Sequence, residues 1–437
     1  MTEVMFDSDD FSAETLGAEE TLVVERRSWK VPIVFASVLV LLAALYAGSP
    51  RDGHSVFLLG TESDFWVIPR LELPGMITAW VTVSIMLAMV VVAFILASLY
   101  KKAPWYVSFI FGAAAIWGFL AWAGAGVAAQ INVISLIAGS LAMAVPLVFG
   151  ALGGVIGERS GVVNVAIEAQ LLMAAFTAAL VATLTGSAWV GLLAAVVAGF
   201  IVACLLGLFA IKYHVNHVIV GVVTNVLVTG LTTFLFQRLL VPNQLTMNNT
   251  EPLRFSPIAI RYLHQIPIVG PILFNQTIIG YMMFVAVAAV AFALYRTRWG
   301  LRTRAVGEKP KAADTMGVNV NGTRWRAVLI AGSIVGIGGA YFTLVSNGRF
   351  NWEMTAGLGF ISLAAVIFGG WNPIRAALAG LLFGFAMNLN NILALLNTPV
   401  PSQFLLMLPY AVTLFAVAGL VGKSKPPAAV GTHYSKE

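Results

Sequence analysis

The segment GALGGVIGERSGVVNVAIEAQLLMAAF (residues 150–176) holds two apolar runs separated by a polar break that begins at Glu158 and Arg159. Asn164 and Glu168 follow four residues apart, so on a helix they would share one face. Polar side chains inside an apolar run need a protein partner or a water-filled path. The segment therefore predicts a discontinuous transmembrane helix with a transport site or gate. The alternative is a tight turn at the membrane surface, with Glu158 and Arg159 as an interfacial ion pair.

The whole chain has the composition of a membrane protein. Its 437 residues are 59% hydrophobic and 10% charged, and the mean hydropathy is +0.90. Ordinary soluble domains carry about 25% charged residues. This composition excludes a soluble enzyme, a nucleic-acid binder and a disordered scaffold, and it predicts an all-α, polytopic integral membrane protein.

Apolar runs long enough to cross a bilayer need about 20 residues. This rule predicts 10 to 12 transmembrane helices, because the fourth and fifth runs, and the tenth and eleventh, are joined so tightly that either pair could contain a broken or re-entrant element. The twelve candidates lie at about 31–47, 77–99, 106–127, 133–155, 162–184, 188–210, 217–240, 277–295, 326–347, 357–371, 375–395 and 402–421.

The basic residues predict the orientation. An even number of spans places both termini on one side, and 19 of the 25 Lys and Arg residues then fall on that side. Because cytoplasmic loops of membrane proteins are enriched in Lys and Arg, both termini are predicted to be cytoplasmic. Residues 1–30 hold eight of the 19 acidic residues before Arg26 and predict a disordered cytoplasmic tail.

Polar side chains in two further apolar runs could face a solute. Asn225 and Thr229 lie in the run 212–234, and Asn388 lies three residues after Phe385. For each polar residue, a hydrogen bond between helices is the alternative to ligand contact. His214 and His217 have no third ligand nearby in the sequence, so no metal site is predicted.

The loop 296–326 carries a short helix signal among its eight basic residues. Pro310 suits a first helical position, Ala312 and Ala313 favour a helix, and Gly317 suits its left-handed end. A helix of two turns is marginal alone in water, so we expect it to gain its order from a partner protein. A basic loop attracted to anionic lipid is the alternative.

Catalytic motifs are lacking in this sequence. GLVGKS at 419–424 resembles a phosphate loop, but Val417 occupies the position of the first glycine. The chain is therefore predicted to bind no ATP and to be no enzyme. A secondary transporter would bury more ionisable residues in mid-span, and a membrane-embedded enzyme would need convergent catalytic groups, so both are weaker alternatives.

Four ordered motifs resemble the permease subunits of bacterial ABC importers for nucleosides, within the ribose and branched-chain amino-acid permease family. They are GERSGVVNVAIEAQLLMAAF, NHVIVGVVTNVLVTGLT, GLRTRAVGEKPKAADTMGVNV and MTAGLGFISLAAVIFGGWNPIRAALAGLLFGFA. The first motif departs from the family pattern, because Ala166 and Ala169 replace glycines and Gln170 replaces an apolar residue.

The resemblance implies a multi-pass importer subunit of the bacterial cytoplasmic membrane that translocates nucleosides, with simple sugars such as ribose or branched-chain amino acids as the alternative. It implies an ATP-binding subunit that holds ATP and Mg, a second and homologous permease subunit, and an extracytoplasmic substrate-binding lipoprotein. It also divides the chain into the tail (1–30), extra transmembrane helices (31–130), a permease domain (131–421) and a second cytoplasmic tail (422–437).

Two sets of residues follow as candidates. The set expected to couple to the ATPase comprises Gly307, Glu308, Pro310, Ala312, Ala313, Asp314 and Gly317. The set expected to line the substrate path comprises Asn164, Glu168, Asn225, Thr229, Phe385 and Asn388.

Overall fold

The computed structural model describes residues 29–60, 64–66, 68–101, 103–127, 130–395, 407 and 425–435. In these residues, ten helices are long and apolar enough to cross a membrane, which confirms the predicted all-α polytopic class. The predicted tail at 1–30, apart from its last two residues, and the predicted span at 402–421, apart from residue 407, lie outside the described residues.

The α-helices follow one another with few breaks. They are α1 (Lys30–Gly48), α2 (Gly75–Ser98), α3 (Trp105–Ala123), α4 (Val133–Arg159), α5 (Ile167–Thr185), α6 (Ala188–Gly207), α7 (His217–Leu235), α8 (Gln244–Met247), α9 (Val269–Leu273), α10 (Ile278–Arg296), α11 (Arg298–Glu308), α12 (Pro310–Thr315), α13 (Val320–Tyr341), α14 (Leu358–Phe368) and α15 (Pro373–Leu395). Wider π-type turns extend α6, α7 and α13 through Leu208–Lys212, Phe236–Leu240 and Phe342–Ser346.

Two small sheets lie in the connecting segments. In the first, β1 (His54–Leu58) pairs antiparallel with β2 (Leu71–Pro74) and parallel with β3 (Ile131–Asn132). In the second, β4 (Ile258–Ala259) pairs antiparallel with β5 (Asn275–Gln276). The first sheet thus joins the α1–α2 connection to the segment that enters α4.

Local capping explains where several helices begin. The side chains of Asn216, Thr277, Thr297 and Asn319 accept hydrogen bonds from the first backbone N–H groups of α7, α10, α11 and α13. Asparagine and threonine are favoured there because their oxygen atoms satisfy N–H groups that have no partner within the helix. The cap at Thr297 starts α11 inside the loop 296–326, ahead of the short helix predicted to begin at Pro310.

The main core is formed by α4–α6, α10 and α13–α15. Small residues let the helices approach closely, as expected in a membrane, where packing replaces the hydrophobic effect between helices. Gly199 of α6 lies against Gly332 and Gly336 of α13, where a methyl group would overlap the facing backbone.

A second apolar cluster, the N-terminal bundle, consists of α1–α3 and the first sheet. Phe35 and Phe111 stack there with ring centroids 4.1 Å apart. Leu136 of α4 and Leu389 and Leu393 of α15 complete the cluster. The N-terminal bundle is therefore attached to the rest of the chain through the ends of α4 and α15.

One predicted span is not a full helix. The run at 357–371 forms α14, whose 11 residues measure about 16 Å, against about 30 Å for the hydrocarbon core of a bilayer. The alternative of a broken element at this position is therefore correct, and α15 supplies the complete span after it. In the other tight pair, α4 and α5 have 27 and 19 residues and a non-helical break between them.

Candidate functional site

The break between α4 and α5 is a climbing segment, Ser160–Ala166, that rises along α7. It starts at Gly161, whose φ of +92° is a left-handed conformation that favours glycine. The Val163 N–H donates to Nδ1 of His217 (3.4 Å), and the Asn225 side chain donates to the Val165 carbonyl (3.0 Å). His217 and Asn225 are eight residues, or about 12 Å, apart on α7, and the segment is bonded to both of them.

The second break lies between α13 and α14, at residues 347–357. Phe350 exchanges two hydrogen bonds with Asn248, at 2.7 and 2.9 Å, and its ring meets that of Phe176 on α5. The chain then descends along α5 to the start of α14. After α14 it reaches Trp371, whose carbonyl accepts a hydrogen bond from the Arg159 side chain at the end of α4 (2.9 Å). The chain from residue 347 to Trp371 thus consists of an irregular half and a helical half, α14.

The two breaks meet at the Glu168 junction, formed by Glu168, Thr355, Gly357 and Gly359. The Glu168 carboxylate accepts hydrogen bonds from the Thr355 hydroxyl (2.5 Å) and from the backbone N–H groups of Gly357 (2.9 Å) and Gly359 (2.6 Å). A Cβ atom on Gly359 would overlap the backbone of Glu168. The carboxylate therefore caps α14 from another helix, and only a glycine fits beneath it.

The start of α5 is capped from outside as well. Ala166 provides no side-chain cap, and the Ala169 N–H donates instead to Oδ1 of Asn225 on α7 (3.0 Å). Asn164 and Gln170 pair through their amide groups, at 3.1 and 3.4 Å. The glutamine that departs from the family pattern thus has a structural partner in the break.

The negative charge of Glu168 is favourably placed relative to the dipoles of α5 and α14. Glu168 stands in the first turn of α5 and at the amino end of α14, and both helix ends carry partial positive charge. The carboxylate is 8% exposed, and no ion pair involves it among the described residues. The carboxylate thus joins the start of α5 to the start of α14 through three hydrogen bonds.

The expected shared face of Asn164 and Glu168 is wrong, because Asn164 precedes α5 and lies in the irregular segment. The alternative pairing of Glu158 with Arg159 is also absent among the described ion pairs. Glu158 accepts a hydrogen bond from the Trp371 indole, and Arg159 lies 3.9 Å from Glu308.

The basic-loop end is the end of the bundle that carries residues 296–326. The Arg159–Glu308 contact and the Arg159–Trp371 hydrogen bond place the ends of α4 and α14 there. The predicted helix at 310–317 is confirmed as α12, with Pro310 in its first turn and Gly317 beyond its end at φ +77°. Gly307 packs so closely on the Arg159 carbonyl that a side chain would overlap it.

The expectation that α12 gains its order from a partner protein is wrong in one respect. Ala313 is buried within this chain, in a cluster with Val306, Val320 and Tyr434. Ala312 and Met316 point outward instead, and Met316 is 83% exposed. Asp314 is half-buried.

The other predicted path residues separate into two places. Thr229 follows Asn225 by one turn of α7 and is half-buried. Asn388 is buried and donates to the Leu136 carbonyl of α4 (2.7 Å), and Phe385 packs on the N-terminal bundle. The structure thus brings Asn225 to the Glu168 junction and leaves the α15 pair elsewhere.

Sequence reasoning missed the partners of Glu168. The pattern Thr-x-Gly-x-Gly at 355–359 is a signal in the sequence, because its two glycines flank the first residue of an apolar helix. Phe360, which is 49% exposed directly after the junction, and Trp352, which is 59% exposed in the turn before it, were missed as well. His433, far along the chain from His217, places its ring 5.1 Å from the His217 ring.

A polar pocket of about 320 Å³ opens at the end of the bundle opposite the basic-loop end. Asn248, which holds the second break, lies in its wall beside Glu251 and Arg349. An apolar cavity of about 400 Å³ lies between α5, α6 and α7, with Met173, Thr177 and Val228 in its wall. No group of His, Cys, Asp and Glu side chains that could hold a metal ion occurs among the described residues.

Residues 136–417 match the model of a protein family described as the permease component of the branched-chain amino acid transport system. The chain is 37% identical to the nucleoside ABC transporter permease protein NupC of Lactococcus lactis subsp. cremoris, over 316 residues that cover 70% of this chain and 98% of that protein. No solved structure matches the chain significantly.

Two guanosine ABC transporter permease proteins of Bacillus subtilis are also similar. NupQ is 37% identical over 316 residues (70% of this chain, 98% of that protein), and NupP is 23% identical over 296 residues (64% and 82%). A putative glucose ABC transporter permease protein of Haloferax volcanii is 34% identical over 325 residues (69% and 98%).

Proposed function

The chain belongs to the family of permease components of branched-chain amino acid transport systems, and we propose that it is the membrane-spanning subunit of an ATP-driven importer of nucleosides. The substrate assignment rests on the 37% identity to a nucleoside permease, which extends over 98% of that protein. A sugar is the second candidate, favoured by the 34% identity to a putative glucose permease.

The nucleoside path is placed beside the Glu168 junction. A nucleoside is uncharged, with a flat base and ribose hydroxyls, so its path needs aromatic surface together with amide and hydroxyl groups. Phe360 directly follows Gly359, Trp352 lies three residues before Thr355, and both offer exposed rings. Asn225 and Thr229 offer the polar groups, and Asn164 and Glu168 keep the broken helices in place. Phe385 and Asn388 are left out of the path, since they pack elsewhere.

Each proposed partner would bind a different surface of the chain. An ATPase subunit, which holds ATP and Mg, would dock at the basic-loop end on the outward face of α12. A second, homologous permease would complete the pore, and the two guanosine permease proteins of one organism support such a pair. An extracytoplasmic lipoprotein would deliver the solute to the polar pocket at the opposite end.

The protein would lie in the bacterial cytoplasmic membrane with both termini inside. The split of basic residues supports this orientation, as does the position of residues 425–435 beside Gly307 at the basic-loop end. Cysteines at two exposed positions test it in a Cys204→Ser background. Thr315→Cys should resist a membrane-impermeant thiol reagent in intact cells, and Ser256→Cys should react with it.

Uptake by cells with and without the gene tests the substrate. Labelled guanosine and adenosine should enter only when the gene is present, whereas labelled glucose, ribose and leucine should enter equally in both. If cells without the gene lose sugar uptake and keep nucleoside uptake, the substrate is a sugar, the second candidate. Phe360→Ala should lower nucleoside uptake about tenfold by removing the ring on which the base packs, and Phe360→Tyr should preserve uptake.

A further inference from the structure

The C-terminal strap, residues 425–435, is an irregular segment that lies across the basic-loop end. Its Ala428 N–H donates to the Glu308 carboxylate (3.2 Å), and its Ala429 N–H donates to the Gly307 carbonyl (2.9 Å). Gly307 and Glu308 end α11, directly before α12. One side of the strap is thus bonded to the base of the helix proposed to meet the ATPase.

The other side of the strap is bonded to the climbing segment. The Gly431 N–H donates to the carbonyl of Gly161 (3.0 Å), and a methyl group on Gly431 would stand 3.6 Å from Val163. The buried Arg324 side chain, which is 2% exposed, donates to the Thr432 carbonyl (2.9 Å) and fixes the strap against α13. The strap therefore touches the climbing segment within the break, not just the end of α4.

Tyr434 anchors the strap. Its ring is 8% exposed and packs with Val306 of α11, Ala313 of α12 and Val320 of α13. An aromatic side chain buries more area than most others, so this contact holds the strap and α12 together as one packed unit. A displacement of α12 must displace Tyr434 or open the cluster.

A direct connection between α11 and α4 also exists, through the Arg159–Glu308 ion pair at 3.9 Å. The Glu308 side chain is 52% exposed, and exposed ion pairs contribute little to stability. The ion pair ends at Arg159, and the packing of Gly307 of α11 extends from Arg159 to the backbone nitrogen of Gly161, at the start of the break. The strap reaches Gly161 and Val163, from which the chain leads to Glu168.

We propose that the C-terminal strap is a mechanical link of the transporter, which carries movement of α12 to the climbing segment and so to the Glu168 junction. Tyr434 and Gly431 are its positioning residues. The strap would move with α12 when the ATPase subunits close on ATP, and pull on the hydrogen bond at Gly161. The inference rests on the proposed function, because it needs a partner that moves α12.

The ratio of nucleoside transported to ATP hydrolysed tests the link, in proteoliposomes that contain the complete transporter complex. A chain that ends at Ser424, and Tyr434→Ala in the full chain, should lower this ratio at least fivefold while the ATPase subunit still co-purifies. Tyr434→Phe should keep the ratio of the unchanged chain. Gly431→Ala, which strains a residue at φ +75°, should lower the ratio with Tyr434 in place. An unchanged ratio in the shortened chain would overturn the proposal.

A second measurement separates the strap from the substrate assignment. Val163→Cys, in a Cys204→Ser background, is labelled with a small thiol reagent in inside-out vesicles, with and without a non-hydrolysable ATP analogue. The labelling rate should depend on the analogue in the full chain and not in the chain ending at Ser424. If the unchanged complex transports no nucleoside but labelling still needs the strap, the proposed substrate fails and the strap stands. Equal dependence in both chains would refute the strap alone.

Discussion

The N-terminal bundle and the Glu168 junction show two ways of crossing a membrane. The bundle uses complete helices of 19, 24 and 19 residues, which satisfy their own backbone hydrogen bonds. The junction breaks two helices and must satisfy the freed N–H groups with side chains from elsewhere in the chain. Irregular backbone at membrane depth is tolerated only where protein or a cavity surrounds it, and in transporters such breaks commonly form the substrate site, so we expect the breaks to take part in transport.

The family match includes the Glu168 junction and leaves out the N-terminal bundle. It begins at residue 136, after the N-terminal bundle, and it includes both breaks. We therefore expect substitutions at the junction to change transport, and substitutions in the bundle to change stability or nothing.

Removing the carboxylate should have the largest effect. Glu168→Ala would leave the Thr355 hydroxyl and two backbone N–H groups without an acceptor, at a cost of about 1–3 kcal/mol for each buried group. Nucleoside uptake per molecule in the membrane should fall below one hundredth, and the melting temperature in detergent should drop. Glu168→Gln keeps the shape and part of the acceptor capacity, so its loss should be smaller. Normal uptake by Glu168→Ala would show that the breaks are mere loops.

A matched pair of glycine substitutions compares the two regions directly. A methyl group on Gly359 would overlap the Glu168 backbone, whereas one on Gly118 of α3 would overlap the Thr82 hydroxyl of α2. A hydroxyl can rotate away but a backbone cannot, so Gly359→Ala should abolish most uptake. Gly118→Ala should lower the melting temperature by a few degrees and leave uptake per molecule unchanged. Similar uptake losses in both variants would remove the functional distinction between the regions.

The basic-loop end sharpens the comparison, since Ala313 of α12 is buried whereas Met316, directly after α12, is exposed. Met316→Asp places a charge on the outward surface, so the ATPase subunit should bind at least tenfold more weakly while the chain keeps its melting temperature. Ala313→Asp buries the charge inside the chain, so it should lower both the binding of the ATPase subunit and the melting temperature. Ser256→Asp, exposed at the opposite end, is the control. Co-purification and thermal melting distinguish the three, and normal ATPase binding by Met316→Asp would place the docking surface elsewhere.

Local signals in the sequence predicted a large part of the fold. Apolar runs predicted the complete helices, the polar stretch at 158–161 predicted the first break, and Pro310 with Gly317 predicted α12. These features depend on a few neighbouring residues. The helix α11 was not predicted, because its arginines interrupt the apolar pattern of its sequence. Thr297, which caps the helix, was the remaining signal.

The site depends on contacts between distant parts of the chain. Thr355 lies 187 residues after Glu168, and no spacing in the sequence connects them. The expectation that Asn164 and Glu168 share a helix face assumed that the helix continues through the break. Ala313 was placed in the set expected to couple to the ATPase, and no local signal shows that Tyr434 covers it from the far end of the chain.

Asn388 should show the smallest effect on transport. The sequence suggested a path residue, whereas the structure places its side chain in a hydrogen bond to the Leu136 carbonyl, beside Gly139 of α4. Asn388→Ala removes one hydrogen bond to that carbonyl, which still accepts from the Ser140 hydroxyl (2.6 Å), so it should cost about 0.5–1.5 kcal/mol of stability. Uptake per molecule should fall less than twofold, with no change in the preference for nucleosides over glucose. Thermal melting and competition uptake measure the two properties separately. A changed substrate preference would return α15 to the path and extend the working region toward the N-terminal bundle, because Phe385 packs on that bundle from the same helix.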